Sequence, residues 1–372
     1  FLHAIDGKTE RSYAYPCGKN VVGEEEIDYA KTEEMIDLAY KSGINYYDTA
    51  WGYHSGNSEI AMGEILKDYP RSSYFLTSKF PGYDKNNCIN KEEIFNTQLN
   101  KCQTSYFDFY LFHSVSEANI DNYLDPKYDL LNFLLKKKEE GKIRYLGFST
   151  HGSIETTKRF LDNYAKHLDF CQIQLNYIDY KLQNAKGMVE LLKQYNLPIW
   201  VMEPLRGGKL VNLDNEYSSD IKNIRDISNV EMAFRFLQTF PEVTVILSGM
   251  SNFEQIKDNI DIFNEFKPLN DNEFISLLKI GDKILSKKTL PCTACRYCVD
   301  YCPMNLNIPK IIDAYNEDTY SNGSFLTKVH LNALGEGGIP SKCIGCRACE
   351  NVCPQNIKIS EMMSLFKERL EK

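Results

Sequence analysis

Two short runs near the end of the chain restrict its fold more than anything else in it. Residues 292–303 read CTACRYCVDYCP and residues 343–354 read CIGCRACENVCP, so the order C-x-x-C-x-x-C-x-x-x-C-P occurs twice. Three thiolates at two-residue gaps, with a fourth followed by proline, have the spacing that holds a four-iron cubane, a carrier of single electrons. A disulfide framework is the usual rival for clustered cysteines, but it belongs to short secreted chains. Zinc is the other rival, recognised by paired C-x-x-C or by C-x-x-C with His. In two-cluster modules the fourth cysteine of each run serves the other cluster. The expected ligand sets are therefore Cys292, Cys295, Cys298 and Cys353 for one cubane, and Cys343, Cys346, Cys349 and Cys302 for its partner. Cys17, Cys88, Cys102 and Cys171 stand outside the runs and read as buried apolar residues.

At 372 residues the chain exceeds the roughly 250–300 that one core supports, so two domains are expected. Forty residues separate Cys302 from Cys343, and IPKIIDAYNED within them reads helical. That gap favours a small, mainly α-helical ferredoxin-like domain with two 4Fe-4S clusters over residues 291–372. A net charge of −8 without a basic block argues against a nucleic-acid partner. No apolar run approaches the ~20 residues of a membrane helix. No membrane partner and a cytoplasmic setting are expected. The sequence starts at Phe1 rather than Met, which leaves room for a preceding piece or a removed leader.

Before the cysteines, β-rich runs alternate with amphipathic helical stretches, the pattern of βα units around a parallel sheet. The runs are INYYDTA (44–50), YFLTSKF (74–80), FDFYLFH (107–113), IRYLGFS (143–149), FCQIQLN (170–176), PIWVMEP (198–204) and VTVILSG (243–249). Helices are expected over Thr32–Lys41, Ser58–Lys67, Ile94–Cys102, Leu130–Glu140, Ile154–Tyr164, Ala185–Tyr195, Val230–Thr239 and Asn252–Phe263, the last capped by Ser251 with Glu254. This is one strand short of a (β/α)8 TIM barrel. The first strand is then FLHAI at residues 1–5 or lies before Phe1. A doubly wound sheet is disfavoured, because no G-x-G-x-x-G follows any strand. The expected domains are a barrel over 1–265, a connecting helix over 266–290 capped by Asn270 with Glu273, and the cluster domain. Its amphipathic stretch, about 16 residues within NDNEFISLLKIGDKILSKK, is about 24 Å long at 1.5 Å per residue. It could return the chain to the catalytic rim and set the cluster domain beside the barrel mouth.

Barrel enzymes keep their chemistry at the carboxyl ends of the strands. Those ends carry Asp48 and then Tyr53, Lys79, and His113. Singly, each has a bland reading: a turn cap, one of 24 tyrosines, a solvated tip, a core histidine. Together at one rim they are harder to dismiss.

DTAWGY, TSKF and LFHS resemble the Asp–Tyr–Lys–His constellation of the aldo-keto reductases, over nearly all of residues 27–263. GNSE, GKIRYLGFSTHGS, VMEPLRGGKL and LSGMSNFEQIKDNI strengthen the match. With both cysteine runs, the chain is similar to the subgroup carrying a C-terminal ferredoxin-type domain. The resemblance implies reduction of an aldehyde or ketone by hydride from NAD(P)H. Tyr53 would be the general acid, helped by the Lys79 ammonium, with Asp48 fixing Lys79 and His113 orienting the substrate oxygen. It also implies that Ser149 and Gln172 hold the nicotinamide carboxamide and that Met202 packs on the ring. The loop from Pro204 through Leu205 and Arg206 to Gly208 would wrap the pyrophosphate, and Gly249, Ser251, Gln255 and Asn259 would meet the adenosine. Thr150 replaces the family's usual Asn. Gly249 and Gln255 stand where NADP-selective members place cations, which tilts the reading to NAD, with Arg206 and Lys209 as possible compensation.

A hydride carries two electrons and a cubane takes one, so joining them needs an intermediary such as a flavin, for which no motif is visible. Three readings follow. The chain reduces a small-molecule carbonyl and its clusters are structural or sensory. Alternatively, the clusters pass electrons from a ferredoxin or other electron-transfer protein to a substrate or flavin in the barrel. In the third, the barrel is a non-catalytic redox scaffold, against which the intact rim counts. Trp51, His54 and Tyr83 are expected pocket liners.

Overall fold

The computed structural model describes residues 27–292, 296–321, 323, 325–353 and 355–371. Cys17, Cys295, Pro354 and the FLHAI segment lie outside those residues. The chain divides into two compact units, Phe1–Leu278 and Lys279–Lys372.

The first unit contains all seven expected strands: β1 (Tyr46–Asp48), β2 (Phe75–Phe80), β3 (Phe107–Val115), β4 (Ile143–Thr150), β5 (Phe170–Gln174), β6 (Ile199–Met202) and β7 (Val243–Ile246). They pair in parallel and in sequence order. The expected helices lie between them, as at Ile154–Tyr164 and Ala185–Gln194, each presenting one apolar stripe to the sheet. The short helices Lys85–Ile89, Ile120–Leu124 and Asp179–Leu182 were not expected, being too short to show a period; nor was Asn215–Ile224, although Tyr217, Ile221 and Ile224 mark one face of it at i, i+4 and i+7.

The sheet is rolled. At ~4.8 Å per strand, a flat sheet would set β1 and β6 roughly 24 Å apart. Yet the rings of Tyr46 on β1 and Trp200 on β6 lie 5.2 Å apart, edge to face. Phe170 stacks on Trp200 at 3.6 Å and Phe109 meets it at 4.5 Å, so strands from both edges fill one interior. Gly147 of β4, opposite Phe170, makes that stack possible: a Cβ there would lie 2.5 Å from the Phe170 ring. Among the described residues β1 pairs only with β2 and β7 only with β6. The described residues thus form a curled seven-stranded parallel sheet rather than the expected eight-stranded barrel; the FLHAI segment, one expected place for the first strand, lies outside them.

Caps agree with the sequence at one helix and differ at another. Asn270 and Glu273 form the expected box before the helix Asp271–Lys288, the Glu273 N–H donating to Asn270 Oδ1 at 3.1 Å and the Asn270 N–H to Glu273 Oε2 at 2.9 Å. For the helix Phe253–Phe263 the cap is Asn252, not Ser251. Asn252 Oδ1 accepts from the Gln255 N–H at 2.9 Å, and Gln255 Oε1 accepts from the Ser251 N–H at 2.7 Å.

Among its described residues the second unit has helices and no strand: the end of Asp271–Lys288, then Tyr297–Asp300, Ile308–Ser321, Phe325–Ala333, Ala348–Asn351 and Ile359–Leu370, joined by loops and short 3-10 turns. Its two halves correspond at an offset of 51 residues, from Cys292 and Cys343 onward. The backbone repeats with the sequence. Arg296 and Arg347 are both left-handed (φ 67° and 61°), as are Asn305 and Asn356 (φ 52° and 53°). One core takes matched residues from both halves: Leu306 with Ile357, Ile308 with Ile359, Ile311 with Met362 and Ile312 with Met363. The matched Tyr315 and Phe366 meet edge to face at 5.3 Å.

Candidate functional site

Strand register brings the rim together. Asp48, at the end of β1, stands opposite Thr77 of β2. Lys79 lies two residues further on, hence on the same face. Its Nζ donates to Asp48 Oδ1 at 2.6 Å and to the Thr49 carbonyl at 2.9 Å, and both side chains are 0% exposed. Burial holds the Lys79 ammonium below its ordinary range, with the Asp48 and Glu59 charges acting in the opposite sense. After β1 the chain turns so tightly that His54, Ser55 and Gly56 all have positive φ (48°, 54° and 92°). Consecutive left-handed non-glycine residues are strained, a feature that clusters at functional sites. This turn sets the buried Tyr53 ring over Lys79, whose Nζ is 4.7 Å from the ring centroid.

His113, near the end of β3, meets the Tyr53 ring edge to face at 5.8 Å and the Tyr83 ring at 5.6 Å. Burial, and then the nearby Lys79 and His151, hold its imidazole well below the usual 6.5. A neutral imidazole suits an orienting donor. Its Nδ1 and Asp48 Oδ2 are buried without partners among the described residues.

The depressed His113 value has a consequence for stability. Between the folded value and the unfolded one of about 6.5, the unfolded chain binds more protons, so stability rises with pH there. His113's contribution is complete above that range and lost as pH falls through it. The urea midpoint of wild type should therefore drop between about pH 7.5 and about pH 5.5, and His113→Asn should drop less. An equal drop in both would contradict the assignment.

Behind the rim lies a buried carboxylate, Glu59 of the GNSE stretch, to which the sequence assigns no role. Glu59 Oε1 accepts from Ser78 Oγ and Gln98 Nε2, each at 2.6 Å, and Gln98 Nε2 also reaches the Lys79 carbonyl at 3.0 Å. Burial pushes the Glu59 carboxyl up. The network holds the lysine-bearing stretch of β2. No sequence signal separates such a glutamate from a solvated one.

Beside Tyr53 runs a groove with about 1000 Å³ of open space. Of the expected nucleotide residues, Gln172, Met202, Pro204, Leu205, Gly249, Gln255 and Asn259 line it. Ser149, Arg206 and Ser251 do not. Ser149 Oγ accepts from the Ser114 N–H at 2.7 Å, and Arg206 is buried with its Nε on Asp179 at 2.9 Å. The Arg206 charge is thus balanced within the protein. Gln172, 2% exposed, bonds the Met202 sulfur at 3.6 Å through Nε2 and leaves Oε1 without a partner among the described residues. A buried amide with one open end fits a carboxamide. Gly207 and Gly208, both left-handed, line the groove; among the described residues neither N–H donates to a backbone carbonyl. Two open backbone donors fit a diphosphate.

In the second unit Cys302, Cys343, Cys346 and Cys349 line one apolar cavity. This is the second expected ligand set, the cross-over cysteine included. Cys292, Cys298 and Cys353 pack against the core shared by both halves, whereas Cys295 lies outside the described residues. Among the described residues no three His, Cys, Asp or Glu side chains are grouped to hold a single metal ion. Four thiols spread around one cavity fit a larger, many-atom group. Cys88, Cys102 and Cys171 are buried, as expected of apolar cysteines. No helix among the described residues is long and apolar enough to cross a membrane.

The rolled parallel βα sheet thus carries a buried Lys–Asp pair, a tyrosine and a histidine together at its strand ends. Residues 17–282 match the aldo/keto reductase family, and residues 291–357 match a 4Fe-4S dicluster domain. The chain belongs to the aldo/keto reductase family and carries a C-terminal 4Fe-4S domain. Its relatives include an oxidoreductase of Bacillus subtilis, YqkF, 25% identical over 267 residues, 63% of this chain and 82% of that protein. The NADH-specific methylglyoxal reductase of Escherichia coli is 27% identical over 195 residues, 48% of this chain and 57% of that protein. Among solved structures, aldo-keto reductase AKR11C1 from Bacillus halodurans in its holo form shares the fold, with a TM-score of 0.58 at 23% identity, covering 68% of this chain and 88% of that one.

Proposed function

We propose that the chain reduces an aldehyde or ketone by hydride from a nicotinamide dinucleotide, on a barrel closed by an eighth strand. The observation that carries this is the meeting of Tyr53, Lys79, Asp48 and His113 at one end of the groove that Gln172 also lines. The dinucleotide would supply the hydride. Tyr53 would give its proton to the oxygen as negative charge develops there. The Lys79 ammonium favours loss of that proton, and Asp48 fixes the ammonium. Neutral His113 would hold the carbonyl oxygen in line by a hydrogen bond. Purified protein should oxidise NADH or NADPH only when a carbonyl compound is added, and no oxidation with any of a panel of aldehydes and ketones would count against the reading.

A second reading has a supporting observation of its own. Cys346, in the four-cysteine cavity, is exposed, and its neighbour Ile344 is 63% exposed. A group held there would lie within reach of an electron-transfer protein such as a ferredoxin. In this reading the barrel holds a flavin or an electron-accepting substrate, so the absorbance spectrum of the purified protein separates the two. Bound flavin favours electron delivery; its absence together with dinucleotide binding favours carbonyl reduction.

Either way the cysteines would hold two cubanes, about eight irons per chain. Cys302→Ala is expected to damage the cluster of Cys343, Cys346 and Cys349, not that of its sequence neighbours. Electron paramagnetic resonance of the reduced variant distinguishes the two, and loss of the other cluster's signal would overturn the cross-over assignment.

A further inference from the structure

We infer that Lys101 is a positioning residue for Tyr53: its ammonium fastens the strained turn that carries the tyrosine to the buried network that carries Lys79; this rests on the reading of Tyr53 as general acid. The turn at residues 51–56 doubles back just after β1, so that a Cβ on Gly56 would lie 3.7 Å from the Trp51 carbonyl oxygen. His54, Ser55 and Gly56 take that shape with left-handed backbone. Such a conformation persists only where its surroundings over-determine it. At the base of the turn Thr49 Oγ1 and Ser58 Oγ share a hydrogen bond at 2.8 Å. At its side stands Lys101.

Lys101 Nζ makes three contacts at once. It donates to the Gly56 carbonyl at 3.2 Å, lies 4.2 Å from the centre of the Trp51 ring, and is 3.7 Å from Glu59 Oε2. Trp51 and Gly56 are the two ends of the turn, so one cation holds both. Glu59 is the link to the strand: its other oxygen accepts from Ser78 Oγ, beside Lys79, and from Gln98 Nε2, which also reaches the Lys79 carbonyl. The ammonium is itself well placed. Lys101 ends the helix Lys91–Lys101, against which the helix Ser58–Leu66 presses so closely that a Cβ on Gly63 would lie 2.3 Å from the Lys101 carbonyl oxygen. The Lys101 side chain is only 21% exposed, and a cation shielded from water holds an aromatic face more strongly. Lys101, Glu59 and Trp51 do not line the groove beside Tyr53. Lys101 therefore acts on the chemistry through the placing of Tyr53, not through the dinucleotide.

The test is steady-state kinetics of the cluster-loaded full chain with NADH or NADPH and benzaldehyde, or whichever carbonyl of the panel wild type turns over fastest. Lys101→Met keeps the stem and loses the charge. A displacement of about 1 Å at a reacting group can cost about 10²-fold in rate, so kcat should fall by about tenfold or more. Dinucleotide affinity should stay within about twofold of wild type, the mark of an effect on the transition state. Lys101→Arg returns a cation to the ring and a donor to Gly56, and should recover most of the lost kcat. Trp51 emission should change in the methionine variant and return in the arginine one. Should Lys101→Met fold poorly, Lys101→Gln reads the same loss of charge. A neutral variant with wild-type kcat overturns the inference. So does one whose dinucleotide affinity falls in step with kcat, or whose kcat arginine does not restore, since either marks general damage to the fold. If wild type reduces no carbonyl of the panel, the reading of Tyr53 as general acid fails and this inference fails with it.

Discussion

Tyr53→Phe is expected to lower the turnover of carbonyl reduction by about 10²–10⁴-fold, the usual contribution of a positioned general acid. The ring and its packing on Lys79 and His113 are retained in the variant; only the hydroxyl is lost. Dinucleotide affinity should therefore stay within about twofold, since an effect confined to the transition state lowers kcat without weakening ground-state binding. Steady-state rates and a cofactor titration on one preparation measure both quantities. A variant that turns over at the wild-type rate would remove Tyr53 from the acid role. A variant that loses affinity as well would show that the hydroxyl serves nucleotide binding.

The second large effect is on stability. Lys79→Met leaves the Asp48 carboxylate, 0% exposed, without its cation. Removing one member of a buried ion pair costs about 3–5 kcal/mol, because the remaining charge stays desolvated. Adding Asp48→Leu should recover most of that loss while activity remains absent, which separates the pair's structural contribution from its chemical one. Denaturant unfolding followed by tryptophan fluorescence suits the measurement, since both tryptophans, Trp51 and Trp200, lie in the first unit and report on it alone. A single variant as stable as wild type would mean that Asp48 is protonated or solvated in its absence.

Most of this was legible in the sequence because it rests on period and spacing. The strands were marked by β-branched and aromatic runs between polar turns, and the rim by polar residues at their ends. The cysteines were marked by two identical spacings. What escaped depends on contacts between residues remote in sequence. Glu59 is buried because Ser78 and Gln98 come to it from β2 and from the following helix, and nothing in GNSE announces them. Arg206 reads as a cation beside a nucleotide until Asp179, 27 residues earlier, claims it. The cap at Asn252 was misplaced by one residue because Ser251 and Glu254 match the same pattern as Asn252 and Gln255. The cross-over expected of Cys302 is a rule of the motif; the structure shows only that this cysteine lines one cavity with the run that begins 41 residues downstream.

The repeat in the second unit also bears on how such a domain can arise and fail. Matched residues from the two halves, Leu306 with Ile357 and Tyr315 with Phe366, meet in one core, so each half supplies the wall that the other lacks. A single half would expose that apolar stripe to water, with nothing of its own to cover it. The unit is in effect a homodimer written into one chain. Fusion gives each half a guaranteed partner, so pairing no longer depends on concentration. A cut between the halves would make that shared core depend once more on the two pieces meeting.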